Sequence, residues 1–465
     1  MLLAVVSVAS LGARAALLGQ PCQSPCNKAS DHTLVFDEAY YVNAARVIAG
    51  IRPASGQHYS DAPLGTDPNA EHPQGVKLVM AAAIELFGDG PFAWRIGSLI
   101  FGSIAILGMY ALVRSAGGGP WSALSAATLM ACDNLLLVHG RIGTLDIYAV
   151  AMMIWAVAFY LWRRPMLAGL TLAVGTAFKE VAPYALIVVA LLEMARVIAW
   201  RRRGVPVGWR PRAALVRFGF MAASTALGFI ILLTIMDSIA TPYADATAQL
   251  INGGPFAEIA HIISYASQQT SPNGPKGIAS YPWAWLIDLK PITYLRINPS
   301  IPGHGLFAIH PVSKFLGMIS PPILFAGMVG LLFSCYRLVR PRALSGPAPS
   351  ESSSRSQSQS QSQSPRASAS VSIAEQIPWG SELPPLAVAW FLGTWSPFAL
   401  ASLIDQRTSY LYYMVIVMPG LYIAATYLVS SLWRLRRRWV STIAIVWGIA
   451  VVAAVVLMYP FVPVF

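Results

Sequence analysis

The chain has 465 residues, 56% hydrophobic and 11% charged, with a mean hydropathy of +0.57. A soluble domain carries about a quarter charged residues, so a polytopic membrane protein is expected. The net charge of +12 would suit nucleic acid, but the basic residues sit in short clusters at the ends of apolar runs. Positive-inside topology produces that pattern, and it excludes a nucleic-acid partner.

In chain order, windows of about 20 apolar residues, enough to cross a bilayer, fall at 1–19, 92–113, 121–140, 144–162, 165–179, 181–199, 216–236, 316–336, 384–404, 411–432 and 439–459. About 11 transmembrane helices are therefore expected. The opening MLLAVVSVASLGARAALLG has no basic leader and no small-residue cleavage site before Asp37. It reads as a first span, compatible with a start further upstream, with Arg14 facing protein or snorkelling to the surface. Cys132 and Cys335 read as small buried apolar residues. Cys22 and Cys26, in PCQSPCNK, can form a local disulfide in an oxidising compartment.

With the N-terminus inside, 19 of the 32 Lys and Arg lie on the cytoplasmic side, 12 lie outside, and Arg14 is in the first span. This expectation leaves two large outer loops, about 20–91 and 237–315, within a transmembrane region 1–336. A linker at 337–383 follows, containing SQSQSQSQS and too poor in apolar residues to fold. The last transmembrane helices occupy 384–465. In the first loop, Tyr40, Tyr41, Ala44, Val47 and Ile48 recur at helical spacing, and 76–88 repeats the pattern. Two interfacial helices are expected there, with Asp37 near the start of the first. The second loop is dense in Trp, Tyr and Pro, as in an interfacial aromatic belt.

The residues suited to chemistry collect on the outer side: Asp37 and Glu38, then Glu71, His72 and Lys77, then Asp133, Arg141 and Asp146, then Lys179 and Glu180, and finally Arg407. Only Glu193 sits deep in a span. Ionisable groups at membrane depth are costly and usually functional. Cations suit the phosphate of a lipid carrier, and a neighbouring carboxylate suits a general base acting on a hydroxyl. Structural pairing of Arg141 with Asp146, or of Lys179 with Glu180, would be the alternative, and for Asp37 a helix N-cap. No residue cluster demands a metal, although a divalent ion is compatible.

FDEAYYV, EHPQGVK, RIGTLDIY, GTAFKE, YPWAWLIDLKPITYL and RTSYLYYMVIVMPG, in that order, resemble segments of the protein O-mannosyltransferase family. That family belongs to the GT-C membrane glycosyltransferases, which use polyprenyl-phosphate sugars. The resemblance implies a GT-C fold and a hexosyltransferase moving mannose from a polyprenyl-phosphate carrier to Ser or Thr of exported proteins, with inversion. It implies a plasma-membrane enzyme working on the extracytoplasmic side, with lipid, donor and acceptor protein as partners and an association with secretion machinery as an expectation. It makes Asp37 the base, with Glu38 positioning base or acceptor. His72, Lys77, Arg141, Asp146, Lys179 and Arg407 become substrate-binding residues. HPQGVK lacks the family's second proline and shifts its glycine. The second loop is too short for the β-trefoil of the eukaryotic enzymes, so the bacterial branch fits better. The alternatives are transfer of another polyprenyl-linked sugar to a lipid or glycan, and a transporter of lipid-linked sugars, which should carry ionisable groups at the membrane midplane.

Overall fold

The eleven apolar windows are largely helical, because an unpaired backbone cannot be left in lipid. The structure is a computed structural model that describes residues 1–23, 25–202, 210–297, 313–339 and 381–462. The expected linker lies almost wholly outside them. The helices are α1 (Leu2–Ala15), α4 (Pro91–Ser115), α5 (Pro120–Cys132), α7 (Asp146–Leu161), α8 (Pro165–Phe178), α9 (Tyr184–Arg202), α10 (Arg210–Ile239), α12 (Pro321–Val339), α13 (Leu383–Ile404), α14 (Met414–Trp433) and α15 (Arg438–Met458). Six of them, α4, α10, α12, α13, α14 and α15, are long and apolar enough to cross a membrane.

Two windows end differently from expectation. The third breaks at Asp133 into α5 and a short α6 (Asn134–His139). Asp133 caps α6 by accepting from the Leu135 amide, and it also accepts from Ser320 N–H at 2.9 Å and from the Tyr422 hydroxyl. The eighth window begins inside a strand, and its helix waits for Pro321, in the first turn where a missing N–H costs nothing.

Buried polar groups lock the bundle. Arg14 neither snorkels nor meets lipid: it donates to Ser10 O, Leu99 O and Ser103 Oγ. Gly102 makes room for it, since an added Cβ would overlap the guanidinium. Glu193 is not a lone midplane charge. It accepts from Arg196 (2.7 Å), Arg217 (3.2 Å) and the Tyr160 hydroxyl, and Arg196 continues to Glu382. Cys335 is exposed rather than buried, Cys132 is half-buried, and Cys22–Cys26 form a disulfide.

The first large loop carries two helices where they were expected, α2 (Glu38–Ile48) and α3 (Gly75–Phe87). The second departs from the all-α expectation. Besides α11 (Pro255–Gln268) it holds two antiparallel pairs, β1 (Tyr243–Ala244) with β2 (Gln249–Leu250), and β3 (Ile292–Ile297) with β4 (Ser313–Gly317). Backbone bonds from Asp67 N–H to Thr241 O and from Tyr243 N–H to Asp67 O join the two loops. Thr408 N–H to Gln269 O and Ser280 N–H to Ser409 O join the second loop to the turn between α13 and α14. Three remote segments thus meet at one end of the bundle.

Candidate active site

The residue before α2 sets the site. Phe36 has φ of +55°, a conformation that bulky L residues avoid. Its ring is stacked on Tyr294 with centroids 4.1 Å apart and meets Tyr412 edge-on at 5.5 Å. This sharp turn presents Asp37 to a cavity of about 290 Å³ lined by the two large loops and the turn between α13 and α14. Asp37 stands at the N-terminus of α2, yet its side chain makes no capping bond. Burial lifts its pKa to about 7, opposed by Lys179 and helped by Asp146. It is a carboxyl poised near neutrality and aimed at open space.

Glu38, next along the chain, faces the other way. It is fully buried in a two-pronged pair with Arg95 (Nε to Oε1 2.8 Å, Nη2 to Oε2 2.7 Å). It also accepts from Val35 N–H and Gly143 N–H, each at 2.7 Å. Arg95 Nη1 donates to Leu18 O and Gln20 O. Every strong bond of Glu38 therefore goes to protein. It fastens the Asp37 turn to α4 and to the turn before α7, and it does not reach the cavity.

The other expected site residues divide. His72 and Arg407 line the cavity with Asp37, together with Glu71, Glu180, Tyr40, Tyr41, Tyr265 and the cluster Tyr410, Tyr412 and Tyr413. His72 pairs with Glu180 at 2.9 Å. Burial raises the Glu180 pKa, but the His72 contact outweighs it and holds Glu180 down to about 2. Arg407 is anchored through Ala266 O at 2.6 Å. Lys179 lies just behind, its Nζ 2.6 Å from Asp146 and 5.5 Å from the ring centres of Tyr412 and Tyr413.

Lys77 and Arg141 stand away from the cavity wall. Lys77 is buried against Asp67 and donates to Asn69 O and His72 O, so it shapes the loop that presents His72. Arg141 donates to Arg14 O, Ala16 O and Leu17 O, closing the C-terminus of α1, where a cation is favoured. Neither alternative pairing forms: Asp146 takes Lys179, and Glu180 takes His72. Gly75 of HPQGVK lets the start of α3 approach the end of α8, because a Cβ there would lie 2.4 Å from Ala177 O.

Several participants were not anticipated. His139 Nε2 lies 2.9 Å from Tyr294 Oη, with Thr144 Oγ1 at 3.1 Å and Asp146 at 3.7 Å from its Nδ1. A relay of side chains so runs from Lys179 through Asp146, His139 and Tyr294 to Phe36. Arg95 could have been found as an isolated cation inside an apolar run, in PFAWRIG. Nothing in the sequence marks His139 or Tyr294 as partners, since they are 155 residues apart. Among the described residues no three His, Cys, Asp or Glu side chains are grouped to hold a metal ion.

Residues 71–209 match a family model described as dolichyl-phosphate-mannose-protein mannosyltransferase. The chain is 36% identical over 120 residues to a polyprenol-phosphate-mannose–protein mannosyltransferase of Corynebacterium glutamicum. That match covers 25% of this chain and 22% of the relative, so the chain spans about a fifth of the length of this curated relative. In structure it resembles the Saccharomyces cerevisiae protein O-mannosyltransferase complex bound to the sugar donor. The TM-score is 0.64 at 11% identity, over 99% of this chain and 89% of that one. It also resembles the apo oligosaccharyltransferase of Archaeoglobus fulgidus, with a TM-score of 0.50 at 14% identity over 98% and 55% of the two chains. The fold is thus shared with these two enzymes, and the family match takes in three of the six segments, EHPQGVK, RIGTLDIY and GTAFKE.

Proposed function

We propose, for a chain related to the protein O-mannosyltransferases, that it transfers mannose from a polyprenyl-phosphate carrier to Ser or Thr hydroxyls of exported polypeptides. The work is done at the outer face of the plasma membrane. The observation that carries this reading is Asp37: a carboxyl without a cap bond, lifted towards neutrality, opening on a cavity whose lining also includes Arg407.

In this reading the carrier phosphate meets Arg407 and the remaining N–H donors of Lys179. Asp37 takes the proton of the acceptor hydroxyl as its oxygen attacks the anomeric carbon. The new C–O bond forms on the face opposite the phosphate, the bond to phosphate oxygen breaks, and the configuration inverts. The leaving phosphate's charge develops beside fixed cations, which need no reorganisation. His72, held by Glu180, faces the acceptor, while Glu38, Lys77 and Arg141 shape the site from behind. Glu193, the ionisable group a transporter would lean on, is tied into an ion network and leaves that reading without its midplane charge.

The test is transfer of label by the purified protein in proteoliposomes, from polyprenyl-phosphate mannose to a Ser/Thr-rich peptide, compared with other polyprenyl-linked sugars. Label should reach the peptide from the mannosyl donor alone. Transfer only from another sugar, or only to lipid, would overturn the substrate assignment. Arg407→Gln should lower kcat about 10²-fold. An unchanged kcat would remove Arg407 from the leaving-group role.

A further inference from the structure

HPQGVK has Gln74 where the resemblance puts a second proline, and a proline side chain has no donor. Gln74 is fully buried at the start of α3. Its Nε2 donates to two carboxyls, Asp237 Oδ1 at 2.8 Å and Glu258 Oε2 at 3.3 Å. Asp237 stands in the last turn of α10 and the fully buried Glu258 in the first turn of α11, so one amide joins three helices.

No cation meets this pair. Lys77, one turn along α3 from Gln74, has its donors placed on Asp67, Asn69 O and His72 O. Among the described residues no Lys, Arg or His forms an ion pair with Asp237 or Glu258. The chain neighbours Met236 and Ile259 pack with Leu233, Leu78 and Ala177 in a small apolar cluster. Asp237 Oδ2 and Glu258 Oε1 are buried and accept from no donor. Two carboxylates sharing such a place do not both ionise at neutral pH. Burial, and after it Asp237, push Glu258 up to about 9, with Lys77 opposing the rise and Asp67 adding to it.

On α11, Ile262, Tyr265 and Ala266 follow Glu258 at helical spacing and line the cavity of Asp37. Ala266 O in turn accepts from Arg407 at 2.6 Å. We propose that Asp237 and Glu258 keep one proton between them and, through Gln74, fasten α11 so that Ala266 O holds Arg407 in place. All three are positioning residues, and none lines the cavity. Loss of the proton sets two buried anions around one amide, and their repulsion loosens α11. The effect on transfer rests on the reaction proposed above, whereas the shared proton and the fastening do not.

The experiment uses the full chain in nanodiscs. Infrared difference spectra between about pH 8 and pH 10 should show one protonated carboxyl being lost. Glu258→Gln should remove that signal, and Asp237→Asn should shift it to lower pH. Its absence from wild type, or its persistence unchanged in both variants, would overturn the proposal. At fixed pH, hydrogen exchange across 255–271 and 405–409 should quicken about 10-fold in Gln74→Leu, as for a lost hydrogen bond to a charged group. The wild-type kcat should fall above about pH 9, a limb that Glu258→Gln should lack. Gln74→Leu should lower kcat by up to about 10²-fold with little change in the acceptor KM, and should add nothing further in an Arg407→Gln background. Unchanged exchange, or an equal fall in kcat with and without Arg407, would remove the positioning role. A chain that moves no mannose would defeat the proposed reaction and leave the infrared and exchange results to decide the clasp.

Discussion

Asp37→Asn should leave an inserted, folded protein that still binds the lipid donor and whose transfer rate has fallen about 10²–10⁴-fold, the usual contribution of a general base. The wild-type rate should rise with pH through about 7, because the base works only after Asp37 has lost its proton, and burial delays that loss. Residual activity of the Asn variant should lack this limb. Stability supplies a control with a definite sign. The folded-state pKa lies above the unfolded value of about 3.9, so between about pH 4 and pH 7 the unfolded chain has released a proton that the folded chain retains. Wild-type stability is therefore lost across that window and level above it, whereas Asn carries no such penalty. The variant should match wild type near pH 4 and be more stable by about 1–2 kcal/mol at pH 8, less than the full shift implies because the carboxylate borders an open cavity. Near-normal turnover, or a variant that unfolds at every pH, would refute the assignment of Asp37 as a base held at a cost to stability.

The largest stability effect is expected at the Glu38–Arg95 pair. Arg95→Met should destabilise the protein by about 3–5 kcal/mol, since it strands a buried carboxylate. Glu38→Gln strands the guanidinium in the same way while keeping one acceptor for Gly143 N–H. The double variant should be less destabilised than the two singles combined, with a coupling energy of about 2–3 kcal/mol. Catalysis should separate from folding. In the double variant kcat should stay low while the KM for the donor changes little, because the clamp holds the Asp37 turn and touches no substrate. Single variants within 1 kcal/mol of wild type, or a double variant with normal kcat, would show that the clamp does not position the base.

Composition and periodicity alone determined the membrane class, helix within the apolar windows, α3 within one residue of its expected bounds, and the clustering of Asp37, His72, Lys179 and Arg407 at one end of the bundle. These follow from local rules: the bilayer demands long apolar runs with internally satisfied backbone, and basic residues mark one face. What each ionisable group does was decided by tertiary contacts. Asp37 and Glu38 are adjacent and chemically alike, yet one opens on a cavity and the other closes on Arg95, 57 residues away. Arg141 and Lys77 carry charges suited to phosphate, but carbonyls of α1 and the Asp67 loop claim them first. The β3–β4 pair and its bulge were likewise hidden, because β3 lay within an aromatic-rich loop and the end of β4 read as the start of a span. Local pattern reports how far a residue must stay from water; which partner it meets depends on loops that fold back over more than a hundred residues.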